Sequence, residues 1–233
     1  MNNVILSGED PLYGQRLSQL GYHVIYSEYL HDLIPYERRH ADMQCLIIGQ
    51  TAFVLKECKA LAERLKNSYH VVFTEKDING KYPNNVLLNA AVIGKNVIAN
   101  TKYLDKSVKD YCLNESYQLI RVNQGYAKCS CAVVSDHALI TADRGIYNSL
   151  KEYNIEVMLI RQGRVQLKGA DYGFIGGASG LDILHGERIL YFSGNICAHP
   201  DYDMISDFCG KHQTRIYPLT DTELYDIGGM VFC

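Results

Sequence analysis

Apolar and polar positions follow one recurring order along this chain: a short apolar run, a polar or glycine break, an amphipathic stretch, then a second apolar run. The first unit reads as a strand at 4–6, a helix at 11–20 and a strand at 23–26. Pro11 suits the first turn of that helix, with Glu9 and Asp10 at its positive end. The second unit reads as a strand at 45–48, a helix at 51–66 and a strand at 70–73, because Phe53, Leu55, Cys58, Leu61 and Leu65 keep a helical period. The third is 97–99, 104–112 and 118–122; the fourth is 139–141, 146–153 and 155–160, with Asp143 as the helix cap. The fifth is 189–192, a helix at 200–209 with Pro200 at its first position, and 214–218.

The segments between units repeat as well. Residues 86–100, 125–141 and 172–192 each carry a small or polar centre, a short strand, a tight turn and the opening strand of the next unit. The turns are Gly94-Lys95-Asn96, Ser135-Asp136-His137 and His185-Gly186-Glu187, which in apolar context read as hairpins. The chain ends on LYDIGGMVFC, the first half of such a connection with no unit after it, and it begins directly on an opening strand. Five copies of about forty to fifty residues indicate a repeat architecture. The two ends lack complementary halves of one unit, so the terminal strand at 227–233 is expected to close a ring, since an open ring exposes a sheet edge. The expectation is a single α/β domain, a five-bladed α/β propeller with helices outside, its repeats at about 1–43, 44–88, 89–129, 130–178 and 179–233. The competing reading is an ordinary doubly wound sheet, which also alternates strand and helix.

Composition narrows the function classes. The net charge is −3 with acids and bases interspersed, which gives no basic patch for nucleic acid or a membrane surface. No apolar run approaches a bilayer span, and the N-terminus lacks a basic leader, so a cytoplasmic location is expected. The eight cysteines then read as reduced, mostly buried thiols. They contain no CxxC pair, so neither a metal nor a cofactor is expected. Oligomeric state is not legible.

The densest glycine cluster, Gly173, Gly176, Gly177 and Gly180, invites a dinucleotide-loop reading. Its position excludes that, because it leads into a strand and hairpin late in the chain rather than from a first strand into a helix. Small residues here, with Ser179, either clear space for a ligand or allow close strand packing. Asn195, His199 and Asp201 form a polar cluster beside a helix start, suited to an anion or to plain capping. Cys129 and Cys131 alternate onto one face of a strand, with Lys128 on the other. Asp171 and Asp226 precede equivalent glycines and can set two carboxylates at one end of the ring for a cationic ligand, or serve as solvated turn residues. The run Arg38-Arg39-His40 reads as a surface loop.

Five units, each with a hairpin and one outer helix, resemble the pentein fold of guanidino-group modifying enzymes: arginine and agmatine deiminases, dimethylarginine hydrolases and amidinotransferases. FIGGASG with SGNICAHPD also resembles a bacterial family of unknown function within that fold. The resemblance implies a cysteine nucleophile, a histidine acid/base and substrate-binding carboxylates. The Glu-Gly-Gly-Asp motif falls on Val86-Leu87-Leu88-Asn89, and His-x-Asp falls on Ala127-Lys128-Cys129. The glycine-rich nucleophile motif falls on 228–233, with Cys233 one residue late. Standard deiminase chemistry is therefore not expected. Three readings stand: a ligand-binding protein holding a small polar metabolite at the ring centre, through Asn89, Asp171, Ser179, Asn195, Asp201 or Asp226; a guanidino-group hydrolase or amidinotransferase with a rearranged site using Cys233 or Cys129 with His199; or a structural protein.

Overall fold

The computed structural model describes residues 2–233. They form five three-stranded sheets of one design. In four of them an antiparallel hairpin supplies two strands, in the first the antiparallel pair joins the two ends of the chain, and in all five the third strand lies parallel to the middle one after a crossover helix. The first sheet joins β1 (Asn3–Leu6), β2 (His23–Tyr26) and, from the far end of the chain, β15 (Val231–Phe232), with α1 (Pro11–Gln19) as crossover. The second holds β3 (Cys45–Ile48), β4 (Thr51–Val54) and β5 (His70–Phe73), with α3 (Lys59–Leu65). The third holds β6 (Ala91–Ile93), β7 (Asn96–Ala99) and β8 (Gln118–Arg121), with α4 (Lys106–Asn114). The fourth holds β9 (Cys131–Ser135), β10 (Ala138–Thr141) and β11 (Glu156–Leu159), with α6 (Arg144–Leu150). The fifth holds β12 (Ser179–Leu184), β13 (Glu187–Phe192) and β14 (Thr214–Pro218), with α7 (Tyr202–Lys211). Two single-turn helices, α2 (Ala41–Gln44) and α5 (Ala127–Ser130), run directly into β3 and β9.

The middle strands are the most buried: Val4, Ile5, Leu6, Val97, Ile98, Leu139, Ile140, Leu190 and Phe192 are sealed from solvent. Each crossover helix lays a narrow apolar stripe over them, such as Leu17, Val108, Ile146 and Ile205. Caps fix several helix starts. Asp10 Oδ1 accepts the N–H of Leu12, and Asp143 Oδ1 accepts that of Ile146. Asp105 caps α4 and also accepts the N–H groups of Glu75 and Lys76, tying the end of β5 to the next helix. The terminal strand pairs with β1 as the two defective ends predict, Val4 opposite Phe232 and Ile5 opposite Val231. The turn His185-Gly186 has both residues at positive φ, the requirement of a two-residue hairpin.

Two sequence expectations fail. Residues 51–54 are a strand, not the start of a helix. Gly49, at φ +58°, turns the chain tightly, so Thr51–Val54 pairs back on Cys45–Ile48, and the helix begins only at Lys59. Four consecutive buried residues on a doubly covered strand mimicked the helical period of the segment that follows. Pro200 does not open α7, which starts at Tyr202. Asp201 makes no side-chain capping bond; its carboxylate instead accepts the N–H of Arg161 at 2.7 Å and pairs with Arg161 Nε at 3.0 Å.

Candidate functional site

The five connections that lead into the hairpins converge and are laced together. Asn89 is fully buried and reaches two neighbours: its Oδ1 accepts the N–H groups of Lys128 and Cys129, and its Nδ2 donates to the carbonyl of Asp42. The N–H of Asp42 donates to the carbonyl of Gly228, that of Gly177 to Cys129, and those of Ile227 and Gly229 to Gly177. Lys128 Nζ donates to the carbonyl of Gly176 at 2.9 Å and lies 3.9 Å from Asp42 Oδ2. The glycines serve this lacing. A Cβ on Gly176 would come within 2.7 Å of the carbonyl oxygen of Cys129. On Gly177 it would come within 2.5 Å of Asp226 Oδ2 and closer still to Oδ1. Close packing, rather than clearance for a ligand, requires the cluster.

Above this web lies a cavity of about 430 Å³. Its floor is Cys129, His40 and Asp226, all buried. Its walls are Tyr36, Tyr126, Tyr172 and Phe174, and Glu37 and Asp171 supply further carboxylates. Phe174 stacks on Tyr126 with ring centroids 5.9 Å apart and meets Tyr172 edge-on. The segment carrying Asp171 to Phe174 is held by the strand-like pairing of Gln166 with Tyr225 and by the N–H of Gly173 on the Val165 carbonyl. Asp226 Oδ2 accepts the N–H of Phe174 at 2.8 Å, and Oδ1 accepts that of Gly228 at 3.0 Å. Burial nevertheless raises its pKa, against the lowering effect of His40 4.0 Å away. Burial also raises the Glu37 pKa, although Glu37 Oε2 accepts from Asn85 Nδ2 at 2.9 Å. His40 Nε2 has no hydrogen-bond partner within the described chain.

Cys129 lies in the α5 turn rather than on a strand, so strand alternation does not apply to it. Its Sγ donates to Asp42 Oδ2 at 3.2 Å and accepts from Asn89 Nδ2 at 3.0 Å. Burial, then Asp42 and Asp226, drive its pKa well up; Lys128 opposes them. Lys128 is therefore beside the thiol and not directed away from it, because a helical turn carries its ammonium back over the web. The thiol is held protonated, the reverse of what a nucleophile needs.

The other expected site residues are dispersed. Asp171 and Asp226 line the same cavity. Ser179 lines a different one, of about 230 Å³, bounded by residues of β3, β6, β9, β12 and β15. His199 and Asn195 line smaller cavities beside α7, in which Cys129 has no part. Cys233 lines neither of these two cavities: its backbone bonds Asn3 in both directions, and burial pushes its thiol up to about 11. Two buried residues of the site, Glu37 and Asp42, escaped the sequence reading, and His40, read there as part of a surface loop, is buried as well. The available signal was Ala41-x-x-x-Cys45, which matches Ala127-x-x-x-Cys131, each a single turn running into a hairpin strand.

Five small sheets of this design, with the connections gathered at one buried polar cluster, define a pentein-type α/β fold, and solved structures bear this out. The chain resembles a dimethylarginine dimethylaminohydrolase captured as an adduct with S-methyl-L-thiocitrulline (TM-score 0.53, 10% identity, 93% of this chain and 91% of that one). It resembles the substrate-bound agmatine deiminase of C. jejuni (TM-score 0.55, 8% identity, 94% and 87%) and the amidinotransferase SxtG of Microseira wollei (TM-score 0.51, 10% identity, 93% and 87%). At such identities the likeness is one of fold. The chain itself belongs to the family described as "Family of unknown function (DUF6873)", whose model matches residues 6–231. No curated protein matches it in sequence.

Proposed function

We propose that the five sheets are internal repeats closed into a single-domain, five-bladed propeller, and that its central cavity holds a small polar metabolite bearing a cationic group, without standard deiminase chemistry. The closure rests on the pairing of β15 with β1 and on the second cavity, which residues of β3, β6, β9, β12 and β15, one strand from each sheet, border together. The observation that carries the ligand reading is the 430 Å³ cavity, in which Glu37, Asp171 and Asp226 face an aromatic wall. A guanidinium or ammonium group finds both ion pairing and cation–π contact there. Raised carboxylate pKa values at Glu37 and Asp226 mark groups that an arriving cation would stabilise as anions. The absence of an activated thiol makes the chain a pseudoenzyme in this reading. The rearranged-site alternative keeps one observation in its favour, that Cys129 forms part of the cavity floor.

Thermal unfolding with agmatine as a guanidinium probe, and putrescine as an ammonium probe, tests this. Binding raises the melting temperature with ligand concentration, following RT ln(1 + [L]/Kd). Glu37→Gln weakens the effect roughly 10-fold, the loss of one charge-assisted contact. If neither cation shifts the transition, the binding reading fails. If agmatine is turned over and iodoacetamide blocks the turnover, the rearranged-site alternative replaces it.

A further inference from the structure

A second polar site lies away from the central cavity, between the 161–166 segment and the turn that precedes α7. Two small cavities, of about 110 and 160 Å³, share Gly163, Arg164 and His199 as lining residues. His199 has a side chain only 1% exposed. Its Nδ1 accepts the N–H of Asp201 at 3.1 Å, so the neutral ring carries its proton on Nε2. That Nε2–H is buried and meets no acceptor within the described chain. An unpartnered buried donor calls for an acceptor from outside.

The surroundings specify what kind. Arg164 is exposed and makes no ion pair with any carboxylate among the described residues, although Glu223 lines the same cavity. Two other acids beside this segment are already engaged. Asp201 holds the N–H and Nε of Arg161, while Asp143 caps α6 with one oxygen and accepts from Gln124 Nε2 with the other. Asn195 uses its Oδ1 to accept the N–H of Cys197, which leaves its amide N–H groups without a partner among the described residues. A guanidinium, an imidazole N–H and a carboxamide thus border one small polar cavity, and its one carboxylate, that of Glu223, bonds none of them among the described residues. We propose that Arg164, His199 and Asn195 form a binding site for a small oxyanion, a phosphate group or a carboxylate. Such groups accept several hydrogen bonds at once and suit a guanidinium fork. The N-terminus of the ten-residue α7, just beyond Pro200, adds its dipole in the same sense.

The test follows thermal unfolding of the full chain in inorganic phosphate, and separately in acetate, with ionic strength matched by sodium chloride. The melting temperature rises with phosphate or acetate and not with chloride alone, and the stronger of the two arms identifies the class of oxyanion. Arg164→Ala weakens that response roughly 10-fold or more, since a charge-assisted contact is lost. Arg121→Ala, on the exposed end of β8, leaves the response intact. Arg164 is exposed and unpaired, so its truncation does not threaten the fold and the comparison stands without touching His199. No rise with either anion beyond the chloride control, or an undiminished rise in Arg164→Ala, overturns the proposal.

Discussion

Gly177→Ala separates the two roles proposed for the glycine cluster. The added Cβ would lie 2.5 Å from Asp226 Oδ2 and closer still to Oδ1, well inside contact distance. The carboxylate cannot simply rotate away, because it is fully enclosed and fixed by the N–H groups of Phe174 and Gly228. Overpacking alone costs about 1–3 kcal/mol. Loss of one hydrogen bond to a charged group adds about 1.5–3 kcal/mol. A total near 3 kcal/mol or more lowers the melting temperature by about 6–12 °C in a chain of this size. Gly210→Ala is the matched control. Gly210 is exposed within α7, a Cβ there meets nothing within 4 Å, and its φ is not in the left-handed region. The same substitution should therefore stabilise by about 0.4–1 kcal/mol, chiefly by restricting the unfolded chain. Differential scanning calorimetry on both variants reads the contrast. A Gly177→Ala protein that melts with the wild type but no longer binds a ligand would refute the packing argument and restore the clearance reading.

Asp105 gives a pH prediction. Burial pushes its pKa up, but N–H groups of Glu75, Ser107 and Lys76 and the Ser107 hydroxyl outweigh it, and the net shift is downward. A depressed folded-state pKa means stability that is complete above the ordinary carboxylate range and lost as pH falls through it. Asp105→Asn should thus destabilise by about 2 kcal/mol at neutral pH, and less in acid. Urea titrations that show the same deficit at pH 7 and pH 3 would contradict the linkage. Thiol labelling gives a further test. Cys197 is the exposed cysteine, and iodoacetamide should modify it first, while Cys129 reacts only as the protein unfolds. Rapid labelling of Cys129 near neutral pH, located by peptide mass spectrometry, would show that its thiol is activated after all. His199 and His212 both have pKa values lowered, by burial first. The unfolded chain takes up these protons more readily, so stability should drop as pH falls through about 6.5. A stability curve that rises between pH 7 and pH 5.5 would count against both assignments.

The fold was largely legible because its signals are local. Apolar runs at His23–Tyr26, Gln118–Arg121 and Thr214–Pro218 stand between polar breaks, and Asp10 and Asp143 announce helix starts by a side-chain oxygen at the right offset. The failures came where a local signal was ambiguous. Thr51–Val54 is buried throughout, so it shows no alternation, and its register blends into the helix beyond it. The site was less legible because burial, not residue type, decides its chemistry. Asp226 reads in sequence either as a ring-end carboxylate for a ligand or as a solvated turn residue, and only burial decides between them: it is 1% exposed and tied to two backbone N–H groups. The run Arg38-Arg39-His40 reads as a surface loop because Arg38 and Arg39 are polar. Both side chains lie over the Tyr29 ring, while Glu37, His40 and Asp42 turn inward.

The distribution of charge around Cys129 bears most directly on function. A cysteine serves as a nucleophile when neighbouring cations or N–H donors stabilise its thiolate. Here the nearest cation, Lys128, donates to a backbone carbonyl and lies 3.9 Å from Asp42, so its field at the sulfur is partly cancelled. Two carboxylates, Asp42 and Asp226, act on the same thiol, and one of them accepts its proton in a hydrogen bond. Among the described residues, the only hydrogen bond the sulfur accepts comes from Asn89 Nδ2, which also serves the backbone of a neighbouring connection. Removing that set would loosen the web that gathers the connections, as well as alter the thiol. Cys129 is thus one strand of a structural network whose other side faces the cavity. The proposed cation site rests instead on the carboxylates around it, of which Asp171 is exposed while Glu37 and Asp226 are buried and held by neighbouring N–H groups.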